Sequence, residues 1–368
     1  METPLKLQPC RLSPELLLAP LPFDLYSGNG TLLSRQGARL HGDCETLLAR
    51  PLFRTRLDSE QDEGGALHAL ENLFLRYGQL TLSWSRSSDD VSALKRLSDE
   101  LAEFCVVHSD LCLCMAAYLP AKSRATRHSF AVAIVAILLG IALAWNSEQL
   151  QTLARAALTM NLSLLSDHDD WAGIRGPLSA VQKSHVRCHP RLSVDLLAQS
   201  SAADSRWITA VDQHHENLDG SGYPLGLKGN EIAPEARILR IADTWCALVF
   251  HSSGRGRKPA RHALSELAHS ARGHLDHHAF LALKKLMGPY PPGTLIRLAN
   301  RETALIVRWD RAGSLPLTAL SIISASGEIM REFKIRNVGQ SGFRIREYAQ
   351  LNIAQMSRLP WHRVWTSG

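Results

Sequence analysis

A run of sixteen residues without a charge, residues 130–145 (FAVAIVAILLGIALAW), constrains the fold more than any other segment. As an α-helix it extends about 24 Å, less than the roughly 30 Å hydrocarbon layer of a membrane. We therefore expect a helix buried in a protein core and no membrane span. Helical periodicity surrounds this run, so the sequence predicts a mainly α-helical domain. The predicted helices are 128–145, 147–165, 191–200, 204–216, 234–249 and 260–287.

The two ends of the chain carry strand signals instead. Ser27-Gly28-Asn29-Gly30 separates alternating runs near 21–26 and 31–35, which is typical of a β-hairpin. After Met287, short β-branched runs alternate with Gly, Asn and Pro and predict further strands. Helical periodicity is weak over 67–77 and stronger from Asp89, behind polar capping residues. We divide the chain into a small β-containing N-terminal module, a linker with helices, a helical domain and a β-rich C-terminal extension, at 1–57, 58–123, 124–287 and 288–368.

Composition narrows the class of protein. With 45% hydrophobic and 21% charged residues, the chain of 368 residues is typical of soluble globular proteins. The net charge of +6 is spread over 41 basic residues without a long run, so we expect no DNA partner. Seven cysteines without regular spacing, and no apolar N-terminal signal, favour reduced thiols and a cytoplasmic location.

The segment with most chemistry is residues 214–224, HHENLDGSGYP. Adjacent histidines on a helix diverge by about 100°, so His214 and His215 can serve two different metal ions rather than chelate one. Glu216 and Asp219 add carboxylates, and the glycines that follow let backbone approach a ligand closely. The pair His277-His278 lacks such a context, and we interpret it as a surface pair.

From His189-Pro190 through HHENLDGSGYPLGLKGNEIAPEARILRIAD, the chain closely resembles the HD-GYP branch of the HD-domain metal-dependent phosphohydrolases. The resemblance covers roughly residues 124–287. It implies an all-helical domain that holds two or three iron or manganese ions and hydrolyses cyclic di-GMP, first to the linear dinucleotide and often onward to GMP. It also implies a ligand set, which falls on His128, His189, His214, His215 and Asp243.

These ligand positions have a simpler interpretation. His189, His214, His215 and Asp243 could form a polar core held by mutual hydrogen bonds, and His128 could cap the apolar helix that follows it. Cys246, one turn after Asp243, is predicted to be a buried thiol.

The motif that names the superfamily is altered. Met160, Asn161 and Leu164 stand where relatives have His, Asp and Lys, and Arg124 stands where some have an acidic ligand. Two divalent ions about 3.7 Å apart repel by about 18 kcal/mol at an effective dielectric of about 20, and a bridging anion offsets this. Neutral Asn161 removes that anion, so we expect a dinuclear centre to be disfavoured, although a single ion remains feasible. A displaced motif at His168-Asp169 is the alternative.

The loop after the histidines is predicted to contact the nucleotide or a partner, with GGDEF-domain diguanylate cyclases as the partner that the resemblance implies. Equally, the fold itself could require that turn. The loop residues are Asp219, Gly220, Gly222, Tyr223, Pro224 and Lys228. A basic stretch, 251–261, could bind phosphate through Arg255, Arg257 or Lys258, or could be a solvated loop.

Two functional hypotheses follow. The first is a cyclic di-GMP signalling protein, weak or inactive in hydrolysis, which acts by binding the nucleotide or a partner protein. The alternative is an active metal-dependent cyclic di-GMP phosphodiesterase.

Overall fold

A computed structural model of the chain describes residues 7–10, 24–27, 32–35, 38, 52–55, 63–84, 87–119, 123–165, 179–200, 202–250, 258–270, 273–308, 318–351 and 359–366. By their internal contacts, the residues fall into two compact units, residues 1–67 and 68–368. Each unit is described by itself.

The first unit contains a four-stranded antiparallel sheet with the order β1-β4-β2-β3. Its strands are β1 (Leu7–Cys10), β2 (Leu25–Ser27), β3 (Leu32–Ser34) and β4 (Leu52–Thr55). The pairing of Leu25 with Ser34 and of Tyr26 with Leu32 confirms the predicted hairpin. Leu25 is fully buried.

The second unit is mainly helical, as the sequence predicts. Helix α1 (Glu63–Leu82) begins in the first unit and extends into the second. The further helices are α2 (Ser88–Val107), α3 (Ser109–Ala116), α4 (Arg124–Ala142), α5 (Ser147–Thr159), α6 (Ala180–Leu197), α7 (Ser205–Gln213), α8 (Pro234–Phe250), α9 (Ala260–Ser270), α10 (His277–Met287) and the short α11 (Trp361–Thr366).

Helix α4 lies at the centre of this unit. Ser123 caps its N-terminus by accepting a hydrogen bond from the N–H of Thr126, and residues 128–140 are all buried. Neighbouring helices that pack against it include α2, α5, α8 and α10. By length and composition α4 could cross a membrane, but 83% of its most apolar window is buried inside the protein. The expectation of a buried core helix is confirmed.

Several predicted helix boundaries are wrong. The helix predicted over 191–200 is α6, which begins at Ala180 behind a capping box of Ser179 and Gln182 and contains Pro190 in its interior. The single helix predicted over 260–287 is two helices. The break contains Gly273 in the left-handed region, with φ +84, and Asp276, which caps α10.

Two other helices stop earlier than their apolar pattern predicts. Helix α5 ends at Thr159 and gives way to a 3-10 turn, Leu162–Leu164. Helix α7 ends at Gln213, so His214 and His215 lie in the turn beyond it and not on the helix.

The C-terminal residues confirm the predicted β-rich extension. An antiparallel sheet with the order β8-β7-β6-β5-β9 is built from β5 (Leu295–Leu298), β6 (Thr303–Arg308), β7 (Thr318–Ile323), β8 (Ile329–Asn337) and β9 (Ile345–Tyr348). The Tyr118 hydroxyl donates to the Gly293 carbonyl at 2.7 Å. A Cβ at Gly293 would lie 3.1 Å from Cys114 Cα, so the sheet and α3 pack closely.

Candidate metal centre

His189 is oriented by the proline that follows it. In a helix the N–H of residue 190 would donate to the carbonyl of Val186, but Pro190 has no N–H. The His189 ring supplies the missing donor, because its Nδ1 lies 2.6 Å from that carbonyl oxygen. A carbonyl only accepts, so Nδ1 carries the proton and Nε2 of the neutral ring carries a lone pair.

His214 is oriented by a similar hydrogen bond, at the end of a different helix. Its Nδ1 donates to the carbonyl of Val211 at 2.7 Å, which leaves Nε2 with a lone pair as well. The two Nε2 atoms face each other at 3.1 Å. Two lone pairs cannot form a hydrogen bond with each other, so this contact is satisfied when a metal ion or a proton lies between the two nitrogens.

His215 and Asp243 extend the cluster. The ligand atoms of His189, His214 and His215 all lie within 4.8 Å of one another. The premise that these two histidines diverge on a helix is therefore wrong, because both rings lie in a turn and converge with His189. Asp243 Oδ2 is 3.9 Å from His215 Nδ1, and its Oδ1 accepts a hydrogen bond from His128 Nε2 at 2.7 Å.

Burial keeps the cluster rings neutral. Burial, and then the charge of His214, lowers the pKa of His189 to about 3. Burial lowers the pKa of His214 to about 4 and holds that of His215 well below its usual value. Burial opposes ionisation of Asp243, but the hydrogen bond and charge of His128 bring its pKa well below the usual range. Neutral imidazoles beside a carboxylate are the protonation states that bind a divalent metal.

The donor set fits one metal ion. Two imidazole nitrogens that each bind the same ion at about 2.1 Å lie no more than about 4.2 Å apart. The observed Nε2 separation of 3.1 Å is within this limit. His189 and His214 are the residues best placed to hold the ion, with His215 beside them. In contrast, His128 uses Nε2 as a donor to Asp243.

The altered motif lies against the helix that carries His189. Met160 follows α5 and is fully buried, Asn161 is half-buried, and Leu164 is buried in the 3-10 turn. In the same turn, the Ser163 hydroxyl donates to the carbonyl of His189 at 3.0 Å. Here the chain offers a thioether, an amide and an alkyl group, none of which is an anion.

Glu216 holds the loop that follows the histidines. The Glu216 side chain is buried and accepts three backbone N–H groups, from Leu225 at 2.6 Å, Gly226 at 3.1 Å and Leu227 at 3.0 Å. Sequence reasoning noted this carboxylate in the motif but did not predict its role. The sequence contained a signal for this role, because a carboxylate before a glycine-rich loop can accept hydrogen bonds from several backbone N–H groups.

Close approach of backbone explains two loop glycines. A Cβ at Gly222 would lie 2.3 Å from Asn217 N, closer than any real Cβ contact, and Gly220 has φ +84. Asp219 pairs with His274 at 3.0 Å, and hydrogen bonds from Ser221 lower its pKa to about 2. His274, which the sequence did not indicate, thereby attaches the loop to the α9–α10 connection.

Three further loop residues lie near these. Tyr223 packs on the cluster, with its ring centroid 4.7 Å from that of His215 and a stacked geometry. It is joined to Pro224 by a cis peptide bond. Lys228 pairs with Asp219 in an isolated β-bridge.

Other sequence predictions have mixed outcomes. Cys246 is buried, as expected, and burial raises the pKa of its thiol, which disfavours the thiolate that binds metals. His277 and His278 are exposed, as expected of a surface pair. Arg124 is the first residue of α4. His168-Asp169 and residues 251–257 lie outside the described residues, and Lys258 pairs with Glu266.

Comparison with known proteins shows which family of proteins this helical domain resembles. The family described as HD domain matches residues 114–278, which include all five predicted metal ligands. A solved HDG"Y"P protein from Bdellovibrio bacteriovorus, Bd1817, is similar with a TM-score of 0.51 and 15% identity, over 76% of this chain and 98% of that one. Residues 114–278 form an HD domain of the HD-GYP type. This family is metal-dependent, in agreement with the histidine cluster.

Two curated relatives are similar to parts of this chain. The cyclic di-GMP phosphodiesterase PA4108 of Pseudomonas aeruginosa is 24% identical over 69% of this chain and 61% of its own length. The 3'3'-cGAMP-specific phosphodiesterase 3 of Vibrio cholerae is 31% identical over 46% of this chain and 37% of its own length. The chain thus spans less than two thirds of either relative.

Proposed function

We propose that this HD-GYP protein is a cytoplasmic cyclic di-GMP signalling protein that binds one divalent iron or manganese ion and hydrolyses the nucleotide weakly or not at all. Signalling then proceeds through the bound nucleotide or a partner protein, for which a GGDEF-domain diguanylate cyclase is the candidate. The loop from Asp219 to Lys228 is the proposed contact surface.

One observation carries the proposal. The lone pairs of His189 and His214 converge at 3.1 Å, while the adjoining segment has neutral side chains at Met160 and Asn161. The converging lone pairs support the binding of one ion. The neutral side chains do not supply the anion that would offset the repulsion of a second ion. When bound, the ion would supply charge stabilisation to a phosphodiester. The chain itself supplies oriented rings, the Asp243 carboxylate and a loop held rigidly by Glu216.

The second candidate, an active phosphodiesterase, is favoured by the relatives. The named activity of PA4108 is cyclic di-GMP hydrolysis. His128, His189, His214, His215 and Asp243 are all present and gathered in two contacting groups. An activity that needs only these residues would survive the altered motif.

One experiment separates the two candidates. Protein purified without chelator is analysed for iron and manganese by mass spectrometry, and its reaction with cyclic di-GMP is followed by chromatography. We expect about one ion per chain and tight nucleotide binding without products. The matched variant is Asp243→Ala, which removes the carboxylate and leaves the histidines in place.

Two results would contradict the signalling proposal. Steady turnover by the wild type that disappears in Asp243→Ala would establish the phosphodiesterase. Absence of both metal and nucleotide binding would leave the cluster as a hydrogen-bonded polar core. Direct binding to a purified GGDEF-domain protein, measured with and without Gly222→Ala, tests the partner separately.

A further inference from the structure

One arginine lies at the rim of the histidine cluster. Arg187 is on α6, two residues before His189, and its side chain is exposed. Its guanidinium carbon is 5.4 Å from the centroid of the Tyr223 ring, a cation–π contact.

Tyr223 fixes this arginine relative to the cluster. The Tyr223 ring stacks on His215 with a centroid distance of 4.7 Å and an interplanar angle of 29°. Its backbone N–H also donates to the His215 carbonyl at 3.3 Å. Contacts therefore run without a gap from the cluster through Tyr223 to the guanidinium. Arg187 can be no farther from the His215 ring than the sum of the two centroid distances.

The charge of Arg187 distinguishes it from its neighbours. Arg191, one turn further along α6, pairs with Asp212 at 3.2 Å. Arg240 donates to Asn217 and Thr244 at 3.1 and 3.0 Å. Within the described parts of the chain, no carboxylate pairs with Arg187. An aromatic face occupies one side of the guanidinium and leaves its N–H edge able to bind an anion.

We propose that Arg187 binds the second phosphate of a cyclic dinucleotide whose first phosphate lies at the histidine cluster. This inference rests on the proposed function and deepens it. A cyclic dinucleotide carries two phosphodiester groups, each with one negative charge, and a single ion at the cluster can meet only one of them. A guanidinium binds the other through two parallel N–H bonds. Arg187 thereby selects ligands with two phosphates over cyclic mononucleotides.

The test compares ligands that have two phosphates with one that has a single phosphate. Each ligand is measured on proteins with and without the Arg187 side chain. Dissociation constants are measured by calorimetry in manganese buffer for cyclic di-GMP, 3'3'-cGAMP and cyclic GMP, which has one phosphate. The proteins are the wild type, Arg187→Ala, Arg187→Lys and the control Arg191→Ala. We expect Arg187→Ala to weaken both dinucleotides about 10- to 100-fold and cyclic GMP less than about twofold. Arg187→Lys should restore part of the loss, and Arg191→Ala should change little.

Each other outcome contradicts the inference in a recognisable way. Equal losses for cyclic GMP and the dinucleotides would assign Arg187 a general electrostatic role. Unchanged dinucleotide binding by Arg187→Ala would refute the inference and leave the proposed function standing. If the wild type binds none of the ligands, both proposals fail. Circular dichroism and manganese content of each variant establish that the fold and the cluster are intact.

Discussion

At the scale of single residues, the absence of one hydrogen-bond donor orients a predicted metal ligand. Pro190 cannot donate to the Val186 carbonyl, and His189 Nδ1 does so instead at 2.6 Å. Proline in a helix interior costs about 3 kcal/mol. In return for this cost, Pro190 fixes one tautomer of the His189 ring. The Nε2 lone pair of that tautomer is directed at His214.

Replacement of this proline should separate stability from metal binding. In Pro190→Ala, the new N–H competes with His189 Nδ1 for the Val186 carbonyl. We expect the manganese affinity to fall about tenfold, as when a ligand loses its orienting partner. Thermal stability should stay the same or rise, because alanine suits a helix interior. Manganese titration and thermal melts measure the two effects.

The matched control is Pro234→Ala. Pro234 is the first residue of α8, where a backbone N–H has no helical acceptor. The Pro234→Ala variant should have the manganese affinity of the wild type. A Pro190→Ala protein that binds manganese like the wild type would show that the ring needs no such orientation.

At the scale of elements, the loop after α7 depends on a single carboxylate. Glu216 accepts three backbone N–H groups, and Glu216→Gln leaves one side-chain oxygen while turning an NH₂ group toward donors. We expect a loss of about 2–3 kcal/mol in the free energy of unfolding, from partly buried backbone donors left unpaired. Urea denaturation of the metal-free protein measures it.

Glu231→Gln is the control for this variant. Glu231 is exposed and accepts one N–H, from Lys228 at 2.7 Å. Its loss should be below about 1 kcal/mol. Equal effects of the two variants would mean that the loop is held by other contacts.

The connection after α5 is predicted to limit the number of bound ions. We expect Met160→His combined with Asn161→Asp to raise bound manganese from about one to about two per chain, because an anion then offsets the repulsion between ions. Cyclic di-GMP hydrolysis should increase with it. Metal analysis and chromatography measure both quantities.

Met160→Leu is the control, since it conserves volume and adds no ligand. It should bind the same manganese as the wild type. A double variant that folds and still binds one ion would show that the missing second site has another cause.

At the scale of the whole molecule, burial of the cluster couples folding to pH. The folded pKa values of His189 and His214, about 3 and about 4, lie below the unfolded value of about 6.5. Below pH 6.5 the unfolded chain takes up protons that the folded chain refuses. The stabilisation is therefore present above about pH 6.5 and is lost as the pH falls toward 4.

We expect the metal-free protein to lose about 3 kcal/mol of unfolding free energy between pH 7.5 and 5.5 from these two histidines. Urea denaturation at several pH values measures the slope. A His189→Gln/His214→Gln variant should show a shallower slope. Identical slopes would mean that the rings take up protons in the folded state.

Several parts of the fold were accessible from local sequence. The apolar run of α4, the hairpin at Leu25 and Ser34 and the change to strands after α10 each depend on neighbouring residues, and all are confirmed. The start of α6 was not predicted, because a proline usually ends a helical pattern. No neighbouring residue indicates that the His189 ring will donate a hydrogen bond in place of the missing proline N–H.

The sequence by itself determined the mainly helical core, the family of the domain and the loss of charge at Met160 and Asn161, since these follow from residue type and order. Only the tertiary structure decided which ring atoms face each other and that Tyr223 and Arg187 adjoin the cluster. Ring direction depends on carbonyls of α6 and α7, two helices that meet across 25 residues of chain. Contacts of this kind are set by packing, which no local pattern encodes.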